Sequence, residues 1–166
     1  MTESIDECNR PTSVSVHGIG SASSAPDDPV TEILKTSHTI AVVGLSNRKF
    51  RPSYGVADYL KSVGYHIIPV NPLETEVLGE KCYARLEDIP ERVDIVDIFR
   101  RSEFVPDIVD SAIRINSRAI WMQEGVMHHE AAERARRAGL FVIMNACILK
   151  EHVRRLRLTH ASAAIE

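Results

Sequence analysis

Five cations fall just beyond two apolar runs of this chain: Arg48, Lys49 and Arg51 follow Thr39–Gly44, and Arg100 and Arg101 follow Val93–Phe99. Both runs are rich in β-branched residues, as buried parallel strands are. In an open parallel sheet, ligands bind beyond the carboxyl ends of the strands. Arginines gathered there suit a ligand with several phosphate groups, because the guanidinium fork matches phosphate oxygens. The loop after the first run reads Gly44-Leu45-Ser46-Asn47-Arg48-Lys49-Phe50-Arg51-Pro52-Ser53-Tyr54-Gly55 and then enters a helix. Backbone N–H groups and the helix dipole at such an entry favour an anion. The loop is neither G-x-G-x-x-G nor a P-loop. The competing reading is a solvated turn with ordinary basic residues. Lys49 and one of the Arg100–Arg101 pair are expected to face water.

The second strand ends Val70-Asn71-Pro72. In an NAD-binding sheet this strand end carries an acidic residue for the ribose hydroxyls. An amide followed by proline is wrong for NAD, while the neighbouring arginines leave NADP open. The fourth strand leads into Gln123-Glu124-Gly125 and the fifth into Asn145-Ala146-Cys147.

Other residues invite a catalytic reading and do not sustain it. His128 and His129 diverge by about 100° on a helix and are poorly placed to grip one ion. Cys147 precedes His152 by five residues, a spacing that does not join thiol to imidazole. Cys82 reads as a structural thiol. Ser46 is outside a G-x-S-x-G elbow. Asp97 reads as a buried carboxyl satisfied by hydrogen bonds, not a general base. Trp121 reads as core. No nucleophile, base and orienting group come together.

The elements that must position these residues follow from periodicity. Asp28-Pro29 marks a helix start, with Asp as N-cap and Pro at the first position. A helix is expected over Ser53–Val63, stopped by Gly64. Strands are expected over His66–Val70, Val93–Phe99, Arg118–Met122 and Leu140–Met144. Ser102 is expected to cap a helix carrying Val105, Ile108, Val109, Ala112 and Ile113 on one face. Residues 127–138 read as a helix with Glu130–Arg134 and Glu133–Arg137 pairs, closed by Gly139. A last helix aligns Leu149, Val153 and Leu156, a face that could support a homodimer. The strands begin near 39, 66, 93, 118 and 140, spacings that suit repeated βαβ units. The long connection Leu73–Pro90 is expected to hold a turn at Leu78-Gly79 and a short helix near Leu86–Ile89. The fold class expected is α/β: a doubly wound, mostly parallel five-stranded sheet with helices on both faces.

Composition sets outer bounds. The 166 residues suffice for one domain, expected over 28–160 after a disordered tail of 1–27 rich in Ser, Gly and Ala. The formal charge of −3 gives no long-range attraction to nucleic acid. No apolar run reaches the ~18 residues of a membrane helix, and the basic and apolar start of a signal peptide is absent. Three cysteines without a C-x-x-C pair read as reduced thiols of a cytoplasmic protein.

Taken together, IAVVGLS (40–46), RPSYGVADYL (51–60), HIIPVNP (66–72), EVLGEKCYARLEDIP (76–90), VDIVDIFRRSE (93–103) and AIWMQEGV (119–126) carry a resemblance. Over 30–156 the chain resembles the small stand-alone bacterial CoA-binding proteins, which are similar to the N-terminal CoA-binding domain of the succinyl-CoA synthetase alpha subunit. The resemblance implies a Rossmann-like fold holding coenzyme A, or an acyl-CoA, along the carboxyl edge. It implies a phosphate-side loop of Gly44, Leu45 and Ser46 with Arg48 and Arg51 near it, and Tyr54 and Gly55 opening the next helix. It places Val70, Asn71 and Pro72 near the adenosine, Phe99, Arg100 and Arg101 in the loop after the third strand, and Gln123, Glu124 and Gly125 near the pantetheine. One departure is Asn145-Ala146-Cys147, where many relatives have Asp-Arg-Cys. The synthetase also uses a phosphohistidine domain and an ATP-binding partner subunit, for which this length leaves no space, so ligase activity is not expected. The leading expectation is CoA binding without autonomous catalysis. The alternatives are a CoA-dependent enzyme needing a partner, an NADP-binding oxidoreductase-like protein, and an interaction module with a degenerate site.

Overall fold

A computed structural model describes residues 28–157. The expectations for the tail 1–27 and for residues 158–160 lie outside the described residues. Five parallel strands form the sheet: β1 (Thr39–Val43), β2 (His66–Val70), β5 (Ile95–Ile98), β6 (Ala119–Met122) and β7 (Phe141–Ile143). Their order is β2-β1-β5-β6-β7. Two short strands, β3 (Glu76–Val77) and β4 (Glu80–Lys81), make a separate hairpin. The register pairs Val43 with Val70 on one side and with Ile98 on the other. Three strand ends thus finish level at one edge.

Side chains alternate between faces, as extended backbone requires. Ile40, Val42, Ile67, Ile95 and Trp121 meet helices α1 (Pro29–Thr36), α2 (Pro52–Ser62) and α5 (Ile148–His152). Ala41, Ile68, Val96, Ile98 and Ile120 meet α3 (Val105–Arg114) and α4 (His129–Arg137). The sheet is therefore covered on both faces, as expected. Asp28 caps α1 through its carboxylate, accepting from Val30 and Thr31 N–H at 3.2 and 3.4 Å. Pro69 in β2 is tolerated because β2 is an edge strand.

Two local expectations are corrected. Ser102 does not cap α3; it opens a 3₁₀ turn over Ser102–Phe104, and its hydroxyl accepts from Met127 N–H at 3.1 Å. Arg134 reaches across to Asp110 at 2.8 Å, and Glu133 pairs with Arg136, so the expected pairs within α4 give way to other partners. The connection 73–90 carries the expected turn at Leu78-Gly79, with φ 57° and 74°, which joins β3 to β4, and the expected short helix, a 3₁₀ turn over Leu86–Asp88. The apolar stripe of the last helix is used within the chain. Leu149 and Leu156 pack on the α1–α2 core, and a π-helical turn over Val153–Arg157 follows α5.

The sheet order reverses direction at β1. From β1 the chain moves outward to β2 and then returns to β5 on the opposite side of β1. That reversal opens a crevice between the loops leaving β1 and β5. Gly44 makes the crevice possible. Its φ is +87°, and a Cβ there would stand 2.7 Å from the Phe99 carbonyl oxygen and 2.9 Å from Arg100 Cδ. Backbone strain and backbone collision add at this one position. Gly44→Ala is expected to cost about 2–5 kcal/mol in urea unfolding; a change under about 0.5 kcal/mol would show that the approach of the two strands is not tight.

Candidate functional site

A cleft of about 900 Å³ lies over the carboxyl ends of β1 and β5. Its lining contains Gly44, Ser46, Arg48 and Arg51 from the first loop, Asn71 from the second, and Phe99, Arg100 and Arg101 from the third. Gln123, Glu124 and Gly125 complete it from the end of β6. Val70 and Pro72 line an adjoining hollow of about 410 Å³ that shares Gly44, Asn71 and Arg100 with the cleft. Leu45, Tyr54 and Gly55 are not in the lining. Leu45 turns its side chain into the core, and Tyr54 packs against that core. Lys49 is exposed and outside the lining, as expected.

Hydrogen bonds lock the loops together. Gly44 N–H donates to Val70 O at 2.8 Å, and Phe99 N–H to Val43 O at 2.9 Å. Asn71 is the clamp between the first two loops. Its Nδ2 donates to Leu45 O at 3.0 Å, and its Oδ1 accepts from Leu73 N–H at 3.0 Å. That geometry explains the amide at the end of β2. An acidic residue there could accept from Leu73 but could not donate to Leu45. Within the first loop, the buried Ser53 hydroxyl accepts from Ser46 N–H, and the Ser46 hydroxyl accepts from Arg48 N–H, each at 3.3 Å. On the far side, Asn145 at φ 55° accepts from Gly125 N–H at 2.9 Å, which gives the departure at 145 a structural role.

The charges fall into two groups. The carboxylates bordering the cleft are engaged: Glu124 with Lys150 Nζ at 2.8 Å, Glu74 with Asn47 N–H at 3.2 Å. Arg48, Arg51 and Arg100 have no carboxylate partner among the described residues. Arg100 lies over the Phe104 ring at 4.5 Å and Arg51 near the Phe50 ring at 5.9 Å. The helix α2 begins at Pro52 directly behind these arginines, without a side-chain cap. Three cations and a helix N-terminus face one cavity, an arrangement that favours a polyanion.

Residues outside the expected set also border the cleft: Pro52, Ser53, Val56, Leu73, Glu74, Val126 and Cys147. Cys147 comes from the edge strand β7, but α5 packs back against α2 and carries it over the middle of the sheet. His152 stays away from it, at 2.9 Å from the Tyr59 hydroxyl and edge-on to Tyr65. His128 caps α4 through Nδ1, and Trp121 Nε1 donates to Ala146 O at 2.7 Å inside the core. Asp94 accepts from His38 and Thr39 N–H at the opposite, amino edge.

Asp97 is buried below the cleft, and the expectation that hydrogen bonds satisfy it holds for only one oxygen. Its Oδ1 accepts from Gln123 Nε2 at 2.7 Å, while its Oδ2 has no partner among the described residues. Burial pushes its pKa up to about 7, against the lowering effects of Gln123 and the Ile98 backbone.

The family described as the CoA binding domain matches residues 38–153. The chain belongs to this family. It is 41% identical to the YneT protein of Bacillus subtilis over 123 residues, 74% of this chain and 91% of that one. It is 34% identical to the ADP-forming acetate–CoA ligase II of Archaeoglobus fulgidus over 73 residues, 43% of this chain and only 11% of the ligase. A solved structure of a hypothetical protein from Pyrococcus horikoshii OT3 superimposes with a TM-score of 0.75 at 38% identity, covering 76% of this chain and 89% of that one. The matched region is thus nearly the whole of the YneT relative and a small part of the ligase. Among the described residues, no helix is long and apolar enough to cross a membrane.

The raised pKa of Asp97 has a signed consequence. Between about 4 and 7 the folded chain keeps a proton that the unfolded chain has released, so stability falls as pH rises through that window. At ~1.4 kcal/mol per unit over roughly three units, the loss reaches about 4 kcal/mol above pH 7. Asp97→Asn is expected to flatten this slope and to stabilise the protein at pH 8. Urea midpoints from pH 5 to 8.5 check it, and parallel curves for the two proteins would contradict it.

Proposed function

We propose that the protein binds coenzyme A or an acyl-CoA along the carboxyl edge of its sheet and does no chemistry of its own. The observation that carries this is three arginines facing one cleft with no carboxylate partner among the described residues. Keeping like charges together at one edge opposes folding, and an anionic ligand removes that cost. Membership of the CoA-binding family names the polyanion, since CoA carries a diphosphate and a ribose phosphate. The acetate–CoA ligase likeness points the same way, because CoA is named as that enzyme's substrate.

The residues divide the ligand between them. Gly44 and Ser46 with Arg48 and Arg51 would take the diphosphate, with Leu45 contributing only backbone. Val70, Asn71 and Pro72 with Arg100 border the hollow for the adenosine end. Phe99 and Arg101 lie between, and Gln123, Glu124 and Gly125 border the path of the pantetheine. Tyr54 and Gly55 support the loop from the first turn of α2. The absence of catalysis is favoured by the separation of Cys147, in the cleft, from His152, held by Tyr59.

Isothermal calorimetry tests this reading. CoA is expected to bind in the micromolar range, and the Arg51→Ala, Arg100→Ala double variant at least tenfold more weakly. Affinity should fall with added salt, because the contacts are ionic. Binding of NADPH in preference to CoA, or of neither, would overturn the assignment.

A further inference from the structure

Asp97 takes no part in phosphate binding, yet it occupies the middle strand of the sheet directly below the cleft, fully buried. Its strand neighbours are Val42 and Trp121. A carboxyl group is a poor filler for such a place. An apolar or amide side chain of the same size would fold at lower cost, and Oδ2 is left without a partner among the described residues. Costs of this kind are kept where function needs them.

What Asp97 does is hold Gln123. Above its titration near pH 7 the Asp97 carboxylate only accepts hydrogen bonds, so there it dictates which end of a facing amide turns toward it. Gln123 Nε2 donates to Asp97 Oδ1 at 2.7 Å. The carbonyl oxygen is then the end left for the cleft, which Gln123 lines although only 5% of the residue is exposed. The backbone beyond is fastened too, since Gly125 N–H donates to Asn145 and Glu124 is paired with Lys150. Gln123 is therefore a fixed acceptor, not a rotor that can offer either end.

Its position tells what the acceptor faces. The unpaired arginines stand on the loops after β1 and β5, whereas Gln123 ends β6, one strand further on. A ligand with its phosphates on the arginines would lay its uncharged arm past Gln123. In CoA that arm carries two amide N–H groups. We propose that Asp97 is a positioning residue that fixes Gln123 as the acceptor for an amide N–H of the CoA arm. This rests on the CoA reading above. A pocket with a fixed acceptor rejects ligands that bring it no donor, because the acceptor is then buried unpaired.

The test compares wild type, Asp97→Asn, Gln123→Met and the double variant by calorimetry at pH 8, where Asp97 is ionised. The probes are CoA and 3′-phosphoadenosine 5′-diphosphate, which has the phosphates and no arm. Thermal unfolding of each variant establishes that it is folded. Asn at 97 carries its own N–H₂ and no longer dictates the turn of Gln123. Each single variant is expected to bind CoA about three- to tenfold more weakly. The double variant should bind no more weakly than Gln123→Met, since Asp97 acts through Gln123. Affinity for the armless nucleotide should not fall in any of them. Undiminished CoA binding by Asp97→Asn, a further loss in the double variant, or a parallel loss for the armless nucleotide would overturn the proposal while leaving the CoA site standing. Failure of the wild-type protein to bind CoA would overturn both.

Discussion

The close approach of two backbones at Gly44 is the constraint on which the rest of the structure depends. Gly44 turns with positive φ against the Phe99 carbonyl, closer than any Cβ permits. The first loop can then leave β1 without blocking the loop that leaves β5. Gly44 N–H is spent on Val70 O, so the same residue ties β1 to the end of β2. Three strand ends are held level, and the arginines of two separate loops reach one cavity. Any side chain at 44 would push the loops apart and divide the cleft.

The strands were legible because each is a short run of β-branched residues, and four crossovers of similar length leave few ways to order them. The carboxyl edge followed from that order, and most residues expected at the cleft do line it. What could not be read has local physical causes. Leu45 follows the turn at Gly44, and its side chain falls back into the core, where an apolar group belongs. Two-residue strands such as β3 and β4 are too short to show a period, although Gly79 marks the turn between them. Arg134 abandoned its helical neighbour because Asp110 on the packed helix α3 lies within 2.8 Å. Cys147 follows the edge strand β7, and α5 packing on α2 brings it to the cleft. Such contacts arise between elements, beyond the reach of periodicity.

Two features of the carboxyl edge work against stability. One is the group of arginines without carboxylate partners among the described residues; the other is the buried carboxyl of Asp97 with an oxygen left over. A protein selected for stability alone would pair the first and replace the second. Both costs concern the same cavity. The hydrogen bonds of Asn71, Ser53 and Asn145 spend polar groups on holding loops still, so the cavity keeps its shape without a ligand. A preorganised cleft loses little entropy on binding.

The central claim is that a polyanionic CoA-type ligand sits across the loops leaving β1, β2, β5 and β6. Amide chemical shifts of the isotopically labelled protein, followed by nuclear magnetic resonance as CoA is added, test it most directly. The account predicts saturable shifts gathered at Gly44–Ser53, Asn71–Glu74, Phe99–Arg101 and Gln123–Val126, with Thr39, His66 and Ala119 at the opposite edge unmoved. Shifts centred on that opposite edge, or none at millimolar CoA, would contradict it.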